Sequence, residues 1–504
     1  MQIYKFGGAS IKDAASMNRV ADIIVQHQDE VQGIVMSALG KTTNALEQVW
    51  NSYLRYAEMQ KSSAGTEMLR DDEQLAPTGK SDTQETHKDI AHRATDSQQH
   101  SSAQASRFRF GGQFRESEHD NLEAENTYGD SQGETNITSS SIISPASYEQ
   151  GITDFAKAHN SILNQLFSKG NDALQEQLDA IYLQLQDLRS VARHLHRNKL
   201  YDAVVSCGEL ASTRIMVALL QERGLPVRWQ DARRIIKTDD RHRDAQVDWE
   251  TTTSQINRME PGLFITQGFI ASTHEDHTTT LGREGSDYTA AILAHAMGAS
   301  GVTIWKDVPG VLNADPRHFD QTQQLESISY REAIELAYYG ASVIHPKTLQ
   351  PLQDKSIPLH VRSFLDAGAA GTQITGQVAL QPMTPCYILK KDMILLNLSP
   401  RDFSFISEER MAQVFGLLHR FKIEVGVMQT SAISLSLCVD DKFGNAEKFL
   451  ARISKDYKLR YHTGVSLYTC RHYDAASIDF LESMGAVLLR QQTRETLQMV
   501  ILKD

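Results

Sequence analysis

Strand-like and helical runs alternate along most of this 504-residue chain, and this alternation constrains the fold more than any other feature. Strand-like runs cover residues 2–6, 33–38, 201–207, 225–230, 263–270, 301–305 and 357–361, and helical runs cover 16–26, a stretch from 43, 153–197, 210–221, 286–297 and 330–339. Such alternation is typical of βαβ units. It predicts an α/β fold in which a mainly parallel central sheet carries helices on both faces.

The pattern changes after Gln373. A strand-like run at 393–398 is followed by a helical run at 408–421 and strand-like runs at 423–428 and 433–439. A similar series follows, with strand-like runs at 464–468, 486–489 and 497–501 around a helical run at 475–484. These series predict two small ββαβ-like units in tandem, an arrangement suited to a regulatory domain.

Residues 61–147 differ from the rest of the chain in composition. They are rich in Ser, Gln, Thr, Asp, Glu and His, with no aromatic residue between Tyr56 and Phe108 and no sustained period. Such a segment lacks the apolar surface that a packed core needs, so we predict a largely disordered insertion. The alternative is a partner-binding segment centred on residues 106–110.

The overall charge argues against nucleic acid or an anionic membrane as partner. The formal net charge is −12, whereas both of those partners require clustered Lys and Arg. Four scattered cysteines, without the spacing of a zinc site, predict reduced thiols. The N-terminal residues do not resemble a signal peptide, and no apolar run of about 18 residues stands out, so we expect a cytoplasmic protein without a membrane span.

Two glycine loops indicate phosphate binding. The stretch Leu281-Gly-Arg-Glu-Gly-Ser-Asp-Tyr-Thr-Ala sets Arg283 and Asp287 in a loop that runs directly into an apolar helix. The N-terminus of a helix offers unpaired N–H groups to an anion, and Arg can bind phosphoryl oxygens in a fork. The loop Lys5-Phe-Gly-Gly-Ala-Ser follows the first strand and leads toward another helix. Two such loops in one chain favour phosphoryl transfer.

Further blocks accompany these loops in a fixed order. They are Val35-Met-Ser-Ala-Leu-Gly-Lys-Thr-Thr-Asn, Ser206-Cys-Gly-Glu, Asp231-Ala-Arg, Lys306-Asp-Val-Pro-Gly-Val, Asp315-Pro-Arg and His345-Pro-Lys-Thr. With them, the chain resembles the aspartate kinases. The resemblance implies a three-layer αβα amino-acid-kinase domain over 1–375, followed by paired ferredoxin-like α+β ACT domains over 376–504, at about 391–455 and 459–504.

The resemblance also implies a reaction and a site. Aspartate kinases transfer a phosphoryl group from Mg-ATP to the β-carboxylate of L-aspartate, the first step toward lysine, threonine and methionine. By matching positions, Lys5 and Asp287 are expected to be catalytic; Thr43, Glu209 and Arg283 to bind aspartate; and Lys5, Gly7, Gly8, Ser10, Lys306, Asp307 and Arg317 to bind ATP. The Mg²⁺ ion is expected to arrive with the nucleotide, because it prefers phosphate oxygens and one or two carboxylates.

Simpler structural roles compete with these assignments. Glu209, at the predicted end of the 201–207 strand, could cap the following helix, and Asp287 beside Ser286 could do the same. His345 has no ligand-type neighbour, so a packing or hinge role is favoured over metal binding. Some positions depart from the family pattern: Ala9 stands for a common Thr, Leu312 for a Tyr that meets the nucleotide, and Ser342 for a Lys. The charge of Lys306 could replace that of the missing Lys.

Regulation is expected from the C-terminal pair of units. In the family this pair forms amino-acid sites between subunits, so we expect at least a dimer and an effector such as lysine or threonine. Lysine-sensitive relatives carry an acidic residue where this chain has Gly426, and a Ser-Glu pair where it has Ser431-Ala432. We therefore expect weak or altered lysine inhibition, with the effector site formed near Met411, Gln429, Thr430 and Ser431.

Two other functions compete with aspartate phosphorylation. One is the same reaction on another acceptor, such as glutamate or a carbamate, and the paired C-terminal units and the Ser206–Glu209 block argue against it. The other is a non-catalytic amino-acid sensor, for which loss of Lys5 or Asp287 would have been expected. A fused homoserine dehydrogenase is not expected, since no dinucleotide-binding unit follows the ACT pair.

Overall fold

The computed structural model describes residues 1–72, 146–341 and 344–503. The strands are β1 (Gln2–Phe6), β2 (Val31–Met36), β3 (Arg228–Gln230), β4 (Phe264–Gln267), β5 (Ile270–Ser272), β6 (Thr278–Thr280), β7 (Gly301–Lys306), β8 (Ser327–Ser329), β9 (Leu359–Ser363), β10 (Thr372–Thr375), β11 (Cys386–Pro400), β12 (Glu424–Thr430), β13 (Leu435–Asp440), β14 (Tyr457–Arg471), β15 (Ala486–Gln492) and β16 (Thr496–Leu502). The helices are α1 (Ala14–Gln26), α2 (Thr42–Asp72), α3 (Ala146–Leu166), α4 (Asp172–Val191), α5 (Arg197–Glu222), α6 (Ala232–Ile235), α7 (Trp249–Asn257), α8 (Gly285–Met297), α9 (Tyr330–Tyr339), α10 (Pro346–Asp354), α11 (Glu408–Arg420), α12 (Ala446–Ile453) and α13 (Ala475–Glu482).

The first domain is built on an eight-stranded sheet with the order β3-β4-β2-β1-β7-β9-β10-β8. Every neighbouring pair is parallel except β9 and β10. Alternate residues of β1 enter different cores: Tyr4 packs in a cluster with α1 to α5, and Ile3 in a cluster with α7 to α10. This period of two places helices on both faces of the sheet. The predicted three-layer α/β architecture is confirmed.

Parallel pairing gathers the carboxyl ends of the central strands at one edge. The loops after β1, β2, β4 and β7 therefore open on the same side of the sheet. Ligands bind at this edge in open α/β sheets.

The predicted strand at 201–207 is wrong. These residues lie within helix α5, which runs unbroken from Arg197 to Glu222 and is buried along most of its length. A helix that is apolar on all sides lacks an amphipathic period, and a short apolar run cannot then be told from a buried strand. Glu209 is consequently a mid-helix residue rather than the residue at a strand end.

Helix α5 is also long and apolar enough to span a bilayer, contrary to the expectation that no apolar run of this length stands out. However, 83% of its most apolar window is buried inside the protein, where it forms the centre of the larger core.

The C-terminal region forms one six-stranded antiparallel sheet with the order β12-β13-β11-β14-β16-β15. The 15-residue strands β11 and β14 pair along nearly their full lengths and pass through both halves of this sheet. One half, with β12, β13, α11 and α12, has its own core around Phe449. The other half contains β15, β16 and α13. The predicted α+β fold of this region is confirmed, and its internal bounds stay a prediction. We call this sheet the regulatory sheet, after its predicted role.

Other predictions have mixed outcomes. The helical run at 153–197 is divided between α3, α4 and the start of α5, and helix α12 was not predicted. All four cysteines are buried free thiols. Of the predicted disordered insertion at 61–147, residues 61–72 and 146–147 are instead helical, as parts of α2 and α3, and residues 73–145 lie outside the described residues.

Candidate active site

The loops after β1 and β2 contact each other at the carboxyl edge of the sheet. The N–H of Gly40 donates to the carbonyl of Gly8 at 3.1 Å. A Cβ on Gly8 would lie 2.6 Å from the carbonyl oxygen of Gly40 and 2.9 Å from that of Ala38, so only glycine allows this approach. The Ser10 hydroxyl donates to the carbonyl of Gly7 at 2.6 Å and thereby fixes the first loop.

Lys5, Asp287 and Lys306 form a charged cluster beside these loops. The Lys5 ammonium lies 2.5 Å from Asp287 Oδ1, and that of Lys306 lies 3.7 Å from Oδ2. Lys5 ends β1, Lys306 ends the neighbouring strand β7, and Asp287 lies in the first turn of α8. Burial raises the pKa of Asp287, but the two ammonium groups outweigh burial and hold it below its usual value. Asp287 is therefore ionised at neutral pH and orients two cations.

The first turn of α8 is held against the sheet by close backbone approaches. A Cβ on Gly268, just after β4, would lie 2.5 Å from that of Ser286. Glu284, the residue before the helix, adopts a left-handed conformation with φ of 52°. Within the described part of the chain, it makes no side-chain capping bond to the helix. The N-terminal turn of α8 thus faces the lysine cluster without a cap of its own, as an anion site requires.

Glu209 projects from helix α5 toward the loop after β2. Gly208 allows the approach, since a Cβ there would lie 2.8 Å from that of Ala38. The Ser212 hydroxyl fixes the same face through a hydrogen bond of 2.8 Å to the carbonyl of Ser37. Burial raises the pKa of Glu209 to about 8, although backbone hydrogen bonds oppose the shift. Its Oε2 is buried and has no hydrogen-bond partner among the described residues, so it can receive a ligand ammonium.

Arg283 lies in the exposed turn between β6 and α8. Gly282, directly before it, has a φ of 77° and packs so closely on Asp244 that a Cβ would lie 2.5 Å from its carboxylate. The guanidinium thus stands on a sharply bent backbone next to the first turn of α8. Thr43 is half-buried at the second position of α2, beyond the loop that contacts Gly8.

The residues that hold the Arg283 turn in place by hydrogen bonds were not predicted from the sequence. The Lys347 ammonium donates to the carbonyl of Leu281 at 2.9 Å and to Asp244 at 2.7 Å. The fully buried carboxylate of Asp202 accepts a bond from the Thr280 hydroxyl at 2.7 Å. The block His345-Pro-Lys-Thr was a usable signal for Lys347, whereas an Asp inside an apparent strand gave none for Asp202.

His345 has a structural role. Its ring Nδ1 accepts a hydrogen bond from the backbone N–H of Lys347 at the start of α10. The backbone N–H of His345 donates to the Glu284 carboxylate at 3.2 Å. Among the described residues, no group of three or more His, Cys, Asp or Glu could hold a metal ion.

A cavity of about 480 Å³ opens next to Lys306. Its polar rim contains Lys306, Asp307, Asp315 and Arg317, and its interior is mainly apolar, with Leu312 among the lining residues. The exposed Arg317 guanidinium makes a two-pronged ion pair with Asp315 at 2.6 and 3.0 Å, which lowers the pKa of that carboxyl to about 2. A volume of this size fits the base and sugar of a nucleotide. Ser342 lies outside the described residues.

The residues expected to bind an effector lie at one end of the regulatory sheet. Gln429 and Thr430 are exposed at the end of β12, Ser431 is exposed in the turn that follows, and Met411 is half-buried near the start of α11. The N–H of Ile406, just before α11, donates to the carbonyl of Ala432 at 2.9 Å and joins the two segments.

The first domain combines a three-layer αβα fold with two glycine loops, a lysine-aspartate cluster and a nucleotide-sized cavity at one edge of the sheet, an arrangement suited to phosphoryl transfer between small molecules. Residues 1–363 match the model of the amino acid kinase family. The chain therefore belongs to the amino acid kinase family, and the resemblance inferred from the motifs is confirmed.

Its relatives include aspartokinases. The chain is 38% identical over 274 residues to lysine-sensitive aspartokinase 3 of Escherichia coli strain K12, an alignment that covers 53% of this chain and 61% of that enzyme. It is 28% identical over 454 residues to the chloroplastic aspartokinase 2 of Arabidopsis thaliana, which covers 87% of this chain and 66% of that protein. The chain thus spans less than two thirds of the length of these relatives.

Solved structures show the same architecture over a larger part of the chain. The structure of E. coli aspartokinase III in complex with lysine and aspartate matches with a TM-score of 0.70 and 26% identity, covering 99% of this chain and 96% of that one. The structure of the same enzyme with aspartate and ADP matches over the same shares with a TM-score of 0.67.

Proposed function

We propose that this protein is an aspartate kinase, which transfers the γ-phosphoryl group of ATP to the β-carboxylate of L-aspartate and gives 4-phospho-L-aspartate and ADP. The observation that carries this proposal is the Lys5–Asp287–Lys306 cluster, with ion-pair distances of 2.5 and 3.7 Å, at the same edge of the sheet as the loop toward which Glu209 projects; the buried Oε2 of Glu209 has no partner among the described residues. Kinase chemistry needs fixed positive charge along the path of the phosphoryl group.

The aspartate substrate carries one ammonium and two carboxylate groups, and the site offers partners of opposite charge to both kinds of group. The Glu209 carboxylate receives the substrate ammonium, and the Arg283 guanidinium binds a carboxylate in a bidentate fork. The Thr43 hydroxyl adds a hydrogen bond at the start of α2. The β-carboxylate then faces the lysine cluster, and it is already ionised at neutral pH, so its attack requires no general base.

In the reaction, a β-carboxylate oxygen forms a bond to the γ-phosphorus while the bond between that phosphorus and the β,γ-bridging oxygen of ATP breaks. ADP leaves with the electron pair of the broken bond. Lys5 and Lys306 stabilise the charge on the phosphoryl oxygens, and Asp287 keeps both ammonium groups in place. Gly7 and Gly8 let the backbone approach the phosphates, with Ser10 supporting their loop.

The nucleotide is proposed to occupy the 480 Å³ cavity, with its base among the apolar residues and its phosphates toward Lys306, Asp307 and Arg317. Mg²⁺ would supply charge neutralisation of the β- and γ-phosphates. The donor set fits an ion carried by the nucleotide rather than a resident metal, because Asp287 is the one buried carboxylate in the cluster and two lysines already neutralise it.

Regulation by an amino acid is also part of the proposal. Lysine is bound in the E. coli structure that this chain resembles. The corresponding effector, lysine or threonine, would bind near Met411 and the end of β12, with Gln429, Thr430 and Ser431. We further propose a homodimer or larger assembly formed through the regulatory sheets, whose edge strands β12 and β15 are mostly exposed, and a cytoplasmic location.

A coupled assay of ADP release tests the function directly. The full-length protein is incubated with Mg-ATP and with L-aspartate, L-glutamate or no acceptor. We expect ADP release that requires L-aspartate, and trapping of the product by hydroxylamine as the aspartyl hydroxamate. Release that is equal with glutamate, or independent of any acceptor, would refute the assignment.

A further inference from the structure

The regulatory sheet and the kinase domain share a core next to the nucleotide cavity. We define the cavity loop as residues 307–319, which follow β7. Its residues Ala314 and Phe319 are buried in one apolar cluster with residues of β14, β16 and α13. The Phe319 ring stacks on Tyr387 of β11, with centroids 5.5 Å apart and an angle of 28° between the planes. The cavity loop is therefore packed on the regulatory sheet as well as on its own domain.

Hydrogen bonds also join the cavity loop to the regulatory sheet. The N–H of Tyr387 donates to the carbonyl of Asn313 at 2.7 Å. The Asn313 side chain donates to the carbonyl of Pro385 at 2.9 Å and accepts from the N–H of Gln323 at 2.7 Å. The start of β11 thus fixes the middle of the cavity loop.

A buried ion pair holds a second wall of the cavity, which α9 forms. Arg471, at the end of β14, donates from Nε and Nη2 to the two carboxylate oxygens of Glu332 in α9, at 2.9 and 2.6 Å. Burial raises the pKa of Glu332, but hydrogen bonds from His472 and Arg471 outweigh burial and lower it to about 2. Three other residues of α9 line the cavity: Ala333, Leu336 and Ala337. The orientation of α9 is therefore set by a contact with the regulatory sheet.

We propose that the regulatory sheet is a structural component of the nucleotide site. Tyr387, Ile388 and Leu389 of β11 form one wall of the cavity, and Arg471 is a positioning residue that acts on the nucleotide through Glu332 and α9. This inference rests on the proposed function, since it takes the cavity to be the place where the ATP base and sugar bind.

Apolar contact with a base depends on the positions of the residues that form the cavity walls. Removing the Arg471 guanidinium leaves the buried Glu332 carboxylate without its main partner, which is a strongly unfavourable state. Helix α9 is then expected to shift so that water reaches the carboxylate. Because the aspartate-binding residues are on α2, α5 and the turn before α8, this shift leaves them in place. The effect should therefore fall on ATP and spare aspartate.

The test compares four proteins: the wild type, Arg471→Gln, Leu389→Ala and the control Arg490→Gln. Arg490 lies in β15 of the regulatory sheet and makes an exposed ion pair with Glu482 at the end of α13, but it does not line the cavity. We expect the ATP KM to rise roughly 2- to 30-fold in Arg471→Gln and Leu389→Ala, within the range by which residues remote from a ligand alter its binding. The aspartate KM and the kcat at saturating ATP should stay within about twofold of wild type. Arg490→Gln should match the wild type.

An unchanged ATP KM in folded Arg471→Gln and Leu389→Ala overturns the inference, as does an equal rise of both KM values. Melting curves identify a variant that fails to fold, in which case the milder Leu389→Ala decides the result. If the wild type releases no ADP with aspartate, the proposed function fails by itself. Calorimetric titration with Mg-ADP then decides the inference: weaker binding to Leu389→Ala supports it, and equal binding overturns it.

Discussion

The buried carboxyl of Glu209 should make aspartate binding depend on pH. Burial raises its pKa to about 8, so the empty site holds a neutral carboxyl over most of the range below pH 8. A substrate ammonium requires the ionised form. The apparent affinity is then the intrinsic affinity multiplied by the ionised fraction. With a pKa of about 8, that fraction is roughly 0.01 at pH 6, 0.09 at pH 7 and 0.5 at pH 8.

The aspartate KM should accordingly fall about tenfold from pH 6 to pH 7 and about fivefold from pH 7 to pH 8. Initial rates at saturating Mg-ATP over this range measure the effect. Glu209→Gln should have a high aspartate KM with no such slope, and the exposed Glu260→Gln should follow the wild type. A wild-type KM that is flat between pH 6 and 8, or a slope that persists in Glu209→Gln, would refute the reasoning.

Stability gives a second measurement of the same group. The pKa of Glu209 is raised above the ordinary value of 4.5. Its contribution to the free energy of unfolding is therefore fully present below pH 4.5 and is lost as the pH rises through about 8. Glu209→Gln should therefore gain stability relative to the wild type between pH 5 and 8, by an amount on the order of a few kcal/mol. Denaturant unfolding at several pH values checks the sign.

Three further predictions concern Lys5, Arg283 and inhibition by lysine. Lys5→Met should raise the barrier to turnover by roughly 2 to 4 kcal/mol in a folded protein, because the ammonium serves the transferring phosphoryl group; near-normal kcat would contradict its role. Arg283→Lys should raise the aspartate KM by about tenfold with the ATP KM unchanged, since a single ammonium cannot form the bidentate fork; a selective rise in the ATP KM would assign Arg283 to the nucleotide. Lysine should inhibit weakly, because Gly426 and Ala432 provide no carboxylate for its ammonium, and titration of lysine and threonine at subsaturating aspartate measures this; tight inhibition by lysine alone would disprove the expectation.

The parts of this structure that were predictable are those encoded by local patterns. The loop after Lys5 and the turn before Asp287 each combine glycines with a change of periodicity, so their places at strand and helix ends could be inferred. Parallel pairing then brings Lys5 and Lys306 to the same edge. Their shared contact with Asp287 follows from the topology as much as from the motifs.

Other features depend on surroundings that one sequence does not reveal. Helix α5 was taken for a strand at 201–207 because burial on every side removes its helical period. The pair of Glu332 and Arg471 joins residues 139 positions apart, and neither stands in a motif. The bracing of the Arg283 turn by Asp202 is equally non-local, since an acidic residue in an apolar run reads as an exposed position. Tertiary context determined each of these.

The long strands β11 and β14 have a consequence for how the regulatory region is organised in the gene. The half of the sheet that packs on the kinase domain is made from the start of β11, the end of β14 and the segments after it, while the other half lies between these pieces in sequence. The distal half is therefore nested within the proximal half. Lys390 and Leu467 are paired neighbours at the junction, and one buried core spans it, in which Met393 and Val427 of the distal half pack with Leu467 and Val500 of the proximal half. The distal half could therefore be exchanged as a single insertion, but only for a module that refills this shared core.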